Sequence, residues 1–183
     1  MSGEETVLCG ALVAIPFAVL LDLAFGDSPN MPHPIRWMGS LIEWSEPLIR
    51  KWISNPLLGG VVFAVGLVAL TFAATLSLVQ LAYGWHPVAG IGIEIALIYY
   101  AVSIRSLKTA AMSVHAALSA SLLDSARDRL SFIVGRDTRD LNKSGVIRAT
   151  VETVAENLVD GVISPLFYAA IGGAPLALAF KMV

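Results

Sequence analysis

Three scarcities narrow the possibilities for this 183-residue chain before any motif is read. It has one cysteine, Cys9, so neither a disulfide framework nor a cysteine-based metal centre can be built within it. Charged residues make up only 14% of the chain, against about 25% in a typical soluble domain. No Lys or Arg precedes Arg36. Tandem repeats, low-complexity tracts, a P-loop and a dinucleotide fingerprint are all missing, and no strand pattern competes with the helical ones. What the chain has instead is apolar length: 56% of its residues are hydrophobic and its mean hydropathy is +0.75.

That length is organised. Residues 6–25, 57–83 and 88–107 each supply about 20 predominantly apolar residues, enough to cross a hydrocarbon core of about 30 Å. These blocks predict an all-α integral membrane protein, one membrane domain over residues 1–183. It has three transmembrane helices, a cytoplasmic helical segment and a C-terminal re-entrant or fourth membrane segment. The first block reads as a retained helix and not as a signal peptide, because its leader is acidic and Asp22 interrupts the cleavage side. Cys9, inside it, is expected to be inert. Asp22 and Glu94 are ionisable groups within spans, which are costly and normally face a partner or an aqueous cavity. In the last block, 162–183, Pro165 and the break at Gly172-Gly173-Ala174-Pro175 leave two limbs of roughly ten residues, each half a bilayer long. A hairpin returning Lys181 to the cytoplasmic face fits better than a Pro-kinked fourth span, which stays the alternative.

Basic residues set the expected orientation. Arg36, Arg50 and Lys51 lie between the first two spans, none lies in the link 84–87, and Arg105 to Arg148 follow the third. The positive-inside bias places the N-terminus outside the cell membrane and segments 26–56 and 108–161 in the cytoplasm. Acids interleave with these cations and the net charge is −2, which argues against a nucleic-acid partner.

The polar residues concentrate at Gly135-Arg136-Asp137-Thr138 and at Arg148, Glu152, Glu156, Asn157 and Asp160. At four-residue spacing Arg148, Glu152, Glu156 and Asp160 advance about 40° per step, so three carboxylates share one helix face. Val151, Val154, Ala155 and Leu158 are expected on the opposite, packed arc. The plain alternative is a solvated face with pairs such as Arg148–Glu152. Upstream, Asp124 is expected to cap a helix over 125–134, and Ser144 one beginning near Gly145. Nearer the N-terminus, Gly26 and prolines 29, 32 and 34 make a stiff loop that holds Asp27, His33 and Arg36 in fixed relation, which suits binding. The alternative there is a helix stop followed by an interfacial anchor with Trp37 and Trp44. His86 reads as interfacial and His115 as packing.

Asp22, Gly26-Asp27 and Pro32-His33-Pro34-Ile35-Arg36, the Ser106-Leu107 region, the run Ile133 to Thr138, and above all Arg148 to Gly161 with Ser164 to Tyr168, resemble the cobalamin-biosynthesis CobD/CbiB family, the adenosylcobinamide-phosphate synthases. Ser28 and Phe180 depart from the family's usual proline and tyrosine. The resemblance covers only the family's N-terminal portion, which implies a partner chain or segment supplying the rest. It implies an enzyme in contact with membrane lipid that joins a corrinoid substrate, adenosylcobyric acid, to an amino-alcohol phosphate through an amide, with ATP and Mg²⁺. Amide formation needs the carboxylate activated, and the charge on the transferring phosphoryl group needs metal and cationic stabilisation. Glu152, Glu156, Asp160 and Asp27 are the candidate metal ligands. Arg36, Arg136, Asp137, Arg139, Arg148 and Lys181 are the candidate phosphate and substrate contacts, and Asn157 and His33 join Glu152, Glu156 and Asp160 as the catalytic candidates, His33 as a base for the attacking ammonium. The competing expectations are a non-catalytic signalling or structural relative, a truncated inactive subunit, or a permease if Asp22 and Glu94 line one cavity.

Overall fold

A computed structural model describes residues 3–26 and 34–182, with side chains from Gly10 onward. Its elements are α1 (Gly3–Phe25), α2 (Pro34–Trp52), α3 (Pro56–Trp85), α4 (Pro87–Ala101), α5 (Ile104–Ser119), α6 (Leu123–Ser131), α7 (Lys143–Leu158), a π-helical turn (Val159–Ile163) and α8 (Ser164–Phe180). No strand occurs among the described residues. Pro56 and Pro87 open their helices at positions where a missing N–H costs nothing. The Asn55 side chain accepts from Leu57 and Leu58 N–H, and His86 Nδ1 accepts from Val88 N–H, so His86 serves as a cap.

Two cores result. In the first, α1, α3, α4 and α8 meet around Ala14, Ala18, Val79, Ile98, Ala169, Ala174, Ala177 and Leu178. Small residues let the backbones approach closely, which is how helices associate where lipid removes the hydrophobic drive between them. Pro56–Trp85, Pro87–Ser119 and Lys143–Phe180 are long and apolar enough to cross a membrane, and the face of α3 presents Leu57, Leu58, Val61, Val65 and Leu70 outward. The second core joins α5, α6 and α7 through Val114, Ala117, Ala126, Leu130, Val146 and Ala149.

The block 88–107 is not one helix. α4 stops at Ala101, Val102 is extended (φ −105°, ψ 145°), and α5 begins at Ile104. The break is stabilised from α1: buried Asp22 accepts the Arg105 N–H on Oδ2 at 3.0 Å, an N-cap supplied by another helix. Arg105 returns its guanidinium to the carbonyl oxygens of Leu23 and Ala24 at the end of α1. Asp22 is thus engaged in reciprocal capping.

α8 turns back on itself. Gly172 (φ −145°, ψ 25°) and Gly173 (φ 69°, ψ −165°) leave the helical region, and the positive φ at Gly173 requires a glycine. The returning limb is sunk in the bundle, with Ala174, Pro175, Ala177, Leu178 and Ala179 all buried. Tyr168 on the outgoing limb stacks on Phe180 of the returning one at 5.1 Å between ring centroids.

Three local expectations are corrected. Val151 is 63% exposed and Leu158 43%, while Val146 and Ala149 are buried, so the packed arc of α7 is the one facing α5 and α6 over its first two turns. Asn142, not Ser144, caps α7, accepting Gly145 N–H at 2.8 Å. Asp124 sits inside the first turn of α6, where it pairs with Arg127, and Leu122 occupies the cap position.

Candidate functional site

The motif helix α7 runs through the π turn into α8, and the change of pitch there organises the site. A π turn widens the helix, with Ser164 N–H donating to the Val159 carbonyl, and releases carbonyl groups to outside partners. Two are taken. Lys181 Nζ donates to the Asp160 carbonyl at 3.2 Å, and Ser103 N–H donates to the Gly161 carbonyl at 3.0 Å, with Ser103 Oγ at 3.4 Å. A Cβ at Gly161 would fall 2.7 Å from Ser103 Oγ, so glycine is what allows the α4–α5 break to close on the turn.

One to two helical turns before it lies a cleft of about 410 Å³, lined by Ile133, Val134, Gly135, Arg136, Glu152, Thr153, Glu156 and Asn157. The loop bearing Arg136 is fixed by Thr138, a buried residue whose Oγ1 donates to the Arg127 carbonyl at 3.0 Å. Arg127 Nε in turn donates to the Leu141 carbonyl at 2.7 Å. Glu152 is held between two cations, Arg148 Nε at 2.7 Å and Arg136 at 3.2 Å. The Arg148 hydrogen bond, with Arg136 contributing, holds its carboxyl below the usual glutamate range, and Arg148 is pushed up by Glu152. The Glu156 carboxylate forms no hydrogen bond or ion pair among the described residues, and Asn157 donates its amide to the Thr153 carbonyl at 2.9 Å.

The expected site residues therefore separate. Arg136, Glu152, Glu156 and Asn157 share the cleft, and Arg148 reaches its rim through Glu152. Asp160 lies on the π turn and does not line the cleft. Lys181 returns to the same helix, against a backbone oxygen. Arg139 and Asp137 bind each other, with Arg139 NH2 2.7 Å from Asp137 Oδ2; that bond, joined by the Arg139 N–H, pulls the Asp137 carboxyl down to about 2. Arg36 is exposed on the first turn of α2 and does not line the cleft. Asp27 and His33 lie outside the described residues.

No three His, Cys, Asp or Glu side chains are gathered as a metal-binding group among the described residues. The cleft nonetheless suits a hard cation that arrives with phosphate. Mg²⁺ commonly takes one or two protein carboxylates and completes its octahedron with water and phosphate oxygens, and Glu156 offers an unpaired carboxylate there. Sequence reading missed Ser103, and it named Thr138 as part of the polar motif without its role in fixing the loop to Arg127; the one signal for Ser103 was Gly161, a glycine within an otherwise helical acidic motif.

A helical membrane bundle with a polar cleft on the helix that enters it defines the class. Within that class the chain belongs to the CobD/CbiB family: the family model described as CobD/Cbib protein matches residues 15–183. The chain is 43% identical over 175 residues to Cobalamin biosynthesis protein CobD of Klebsiella pneumoniae, covering 94% of this chain and 55% of that protein. It is 42% identical over 173 residues to the CobD protein of Clostridium perfringens, with the same coverage of each. To Cobalamin biosynthesis protein CbiB of Salmonella typhi it is 41% identical over 175 residues, again 94% and 55%. The chain thus spans about half the length of the curated relatives it matches. No solved structure matches it.

Proposed function

We propose that this chain carries the phosphate-handling part of an adenosylcobinamide-phosphate synthase, acting in cobalamin biosynthesis. The reaction joins a propionate carboxyl of adenosylcobyric acid to the amine of aminopropanol phosphate as an amide, at the expense of ATP. The observation that supports it most is the cleft itself: two arginines converge on Glu152, and Glu156 stands unpaired one turn further along the same face.

The chemistry of that reaction matches the residues. A carboxylate resists attack by an amine until one oxygen becomes a leaving group, and phosphorylation of that oxygen is the simplest way to make it one. Arg136 and Arg148 present planar forks to phosphate oxygens, releasing Glu152 as they do so. Glu156 and the Asn157 side-chain oxygen are the groups that would hold Mg²⁺, which when bound supplies charge neutralisation to the phosphoryl group. Lys181 adds a cation at the π turn, and the apolar bundle beside it suits the large corrinoid face. In the cell membrane we place the N-terminus outside and the α5–α7 cluster in the cytoplasm, following the basic residues. The partners in this reading are the corrinoid, the amino-alcohol phosphate, lipid, and the segment that completes the family's length.

Binding of aminopropanol phosphate to detergent-purified chain, with Arg136→Gln as comparison, tests the reading. Saturable binding weakened about tenfold by the substitution, the loss of one charge-assisted contact, is expected. Equal affinity in both proteins refutes the placement of phosphate in this cleft.

A further inference from the structure

Glu94 has no role in the cleft, yet the bundle is built around it. Its side chain is fully buried in α4, and it forms no ion pair among the described residues. Oε2 accepts the hydroxyl of Tyr83 from α3 at 3.2 Å, while Oε1 has no hydrogen-bond partner. Three glycines, one each on α1, α4 and α8, make room for the pair. A Cβ at Gly10 of α1 would lie 1.7 Å from the Tyr83 hydroxyl oxygen, and one at Gly90 2.3 Å from its ring. A Cβ at Gly173, the positive-φ tip of the α8 hairpin, would lie 2.8 Å from Glu94 Oε1. The second carboxyl oxygen therefore faces the tip at which α8 is broken.

The break supplies what that oxygen lacks. In a continuous helix the Ile171 carbonyl would receive the N–H of residue 175, but that residue is Pro175, and Gly172 and Gly173 are not helical. The tip thus carries the Ile171 carbonyl without its helical donor, and a buried polar group without a partner is costly. An uncharged carboxyl group can donate one hydrogen bond and still accept another, so Glu94 can take the Tyr83 hydroxyl on one oxygen and offer its proton to the tip with the other. Burial with no counter-charge favours that form.

We propose that Glu94 is a positioning residue: with Tyr83 it latches the tip of the α8 hairpin to α3 and α4. Through the returning limb Ala174–Phe180 it sets where Lys181 meets the Asp160 carbonyl. This rests on the hairpin geometry alone and not on the amide-forming reading, so either can fail without the other.

The test is cross-linking of the two limbs in the 183-residue chain with a Cys9→Ala background and Tyr168→Cys plus Phe180→Cys, treated with a short bifunctional thiol reagent. Glu94→Gln keeps a donor and an acceptor of the same shape and should cross-link within about twofold of the parent, whereas Glu94→Leu should slow it about tenfold, the worth of one buried anchor. Helicity and elution volume should not change in either. Tyr83→Phe removes one hydrogen bond and should fall between them, and it decides the matter if Glu94→Leu does not fold. Parent-like cross-linking in Glu94→Leu, or in Tyr83→Phe should the former not fold, overturns the latch. Slowing by Glu94→Gln equal to that of Glu94→Leu overturns the donor chemistry.

Discussion

Lys181 Nζ lies 3.2 Å from the backbone carbonyl oxygen of Asp160, a residue 21 positions earlier. Had the chain continued as one straight helix, the two would stand about 30 Å apart, at about 1.5 Å per residue. The contact depends on the hairpin at Gly172–Gly173, and it brings a cation to the π turn that adjoins the cleft of Arg136, Glu152, Glu156 and Asn157.

Gly173→Ala should open that hairpin. The residue has φ 69° and ψ −165°, a region essentially closed to side chains, and a methyl group would also meet Glu94 Oε1. A loss of about 1–3 kcal/mol is expected, read as a lower midpoint of thermal unfolding in detergent. Gly60, where a Cβ meets nothing, is the control, and Gly60→Ala should leave the midpoint unchanged or raise it.

Much of this arrangement was legible in the sequence. The apolar blocks and the Gly172-Gly173-Ala174-Pro175 break announce the helices and the turn-back, because length and helix breaking are local properties. The Arg148–Glu152 pair follows from i, i+4 spacing in the same way. The π turn does not: its carbonyls are taken by Ser103 and Lys181, which are distant in sequence, and Asp160, which simple periodicity puts on the stripe, does not line the cleft. Asp22 is similar, since only the fold reveals that the group it serves is the N–H of Arg105 on another helix. The packed arc of α7 was misjudged for the same reason, as α5 and α6 cover only its first two turns.

The orientation is open to chemical labelling. Single cysteines at Ser54, in the exposed α2–α3 corner, and at exposed Ser131, each in a Cys9→Ala background, should resist a membrane-impermeant thiol reagent in intact cells and react after lysis. Reaction of either before lysis reverses the assignment.

The acid side of the pH range should reveal the clamp on Glu152. A carboxyl held below its ordinary value of 4.5 keeps its ion pairs, and whatever stability they contribute, above that value; both are lost as pH falls through the lower folded-state value. Carbon-13 NMR of the labelled glutamate carboxyl should place its titration midpoint below 4.5, and Arg148→Gln should return it toward 4.5, more so than Arg136→Gln. A midpoint indifferent to both substitutions contradicts the clamp.

The most direct test of the functional account is Glu156→Gln in a full-length relative that carries these cleft residues, assayed with adenosylcobyric acid, aminopropanol phosphate, ATP and Mg²⁺. The substitution preserves size and hydrogen bonding and removes the one unpaired carboxylate in the cleft. Synthesis should fall on the order of 10²-fold, with a raised Mg²⁺ requirement and normal membrane insertion. Near-parental synthesis with unchanged Mg²⁺ dependence would contradict the account and leave the acidic face of α7 as solvated surface.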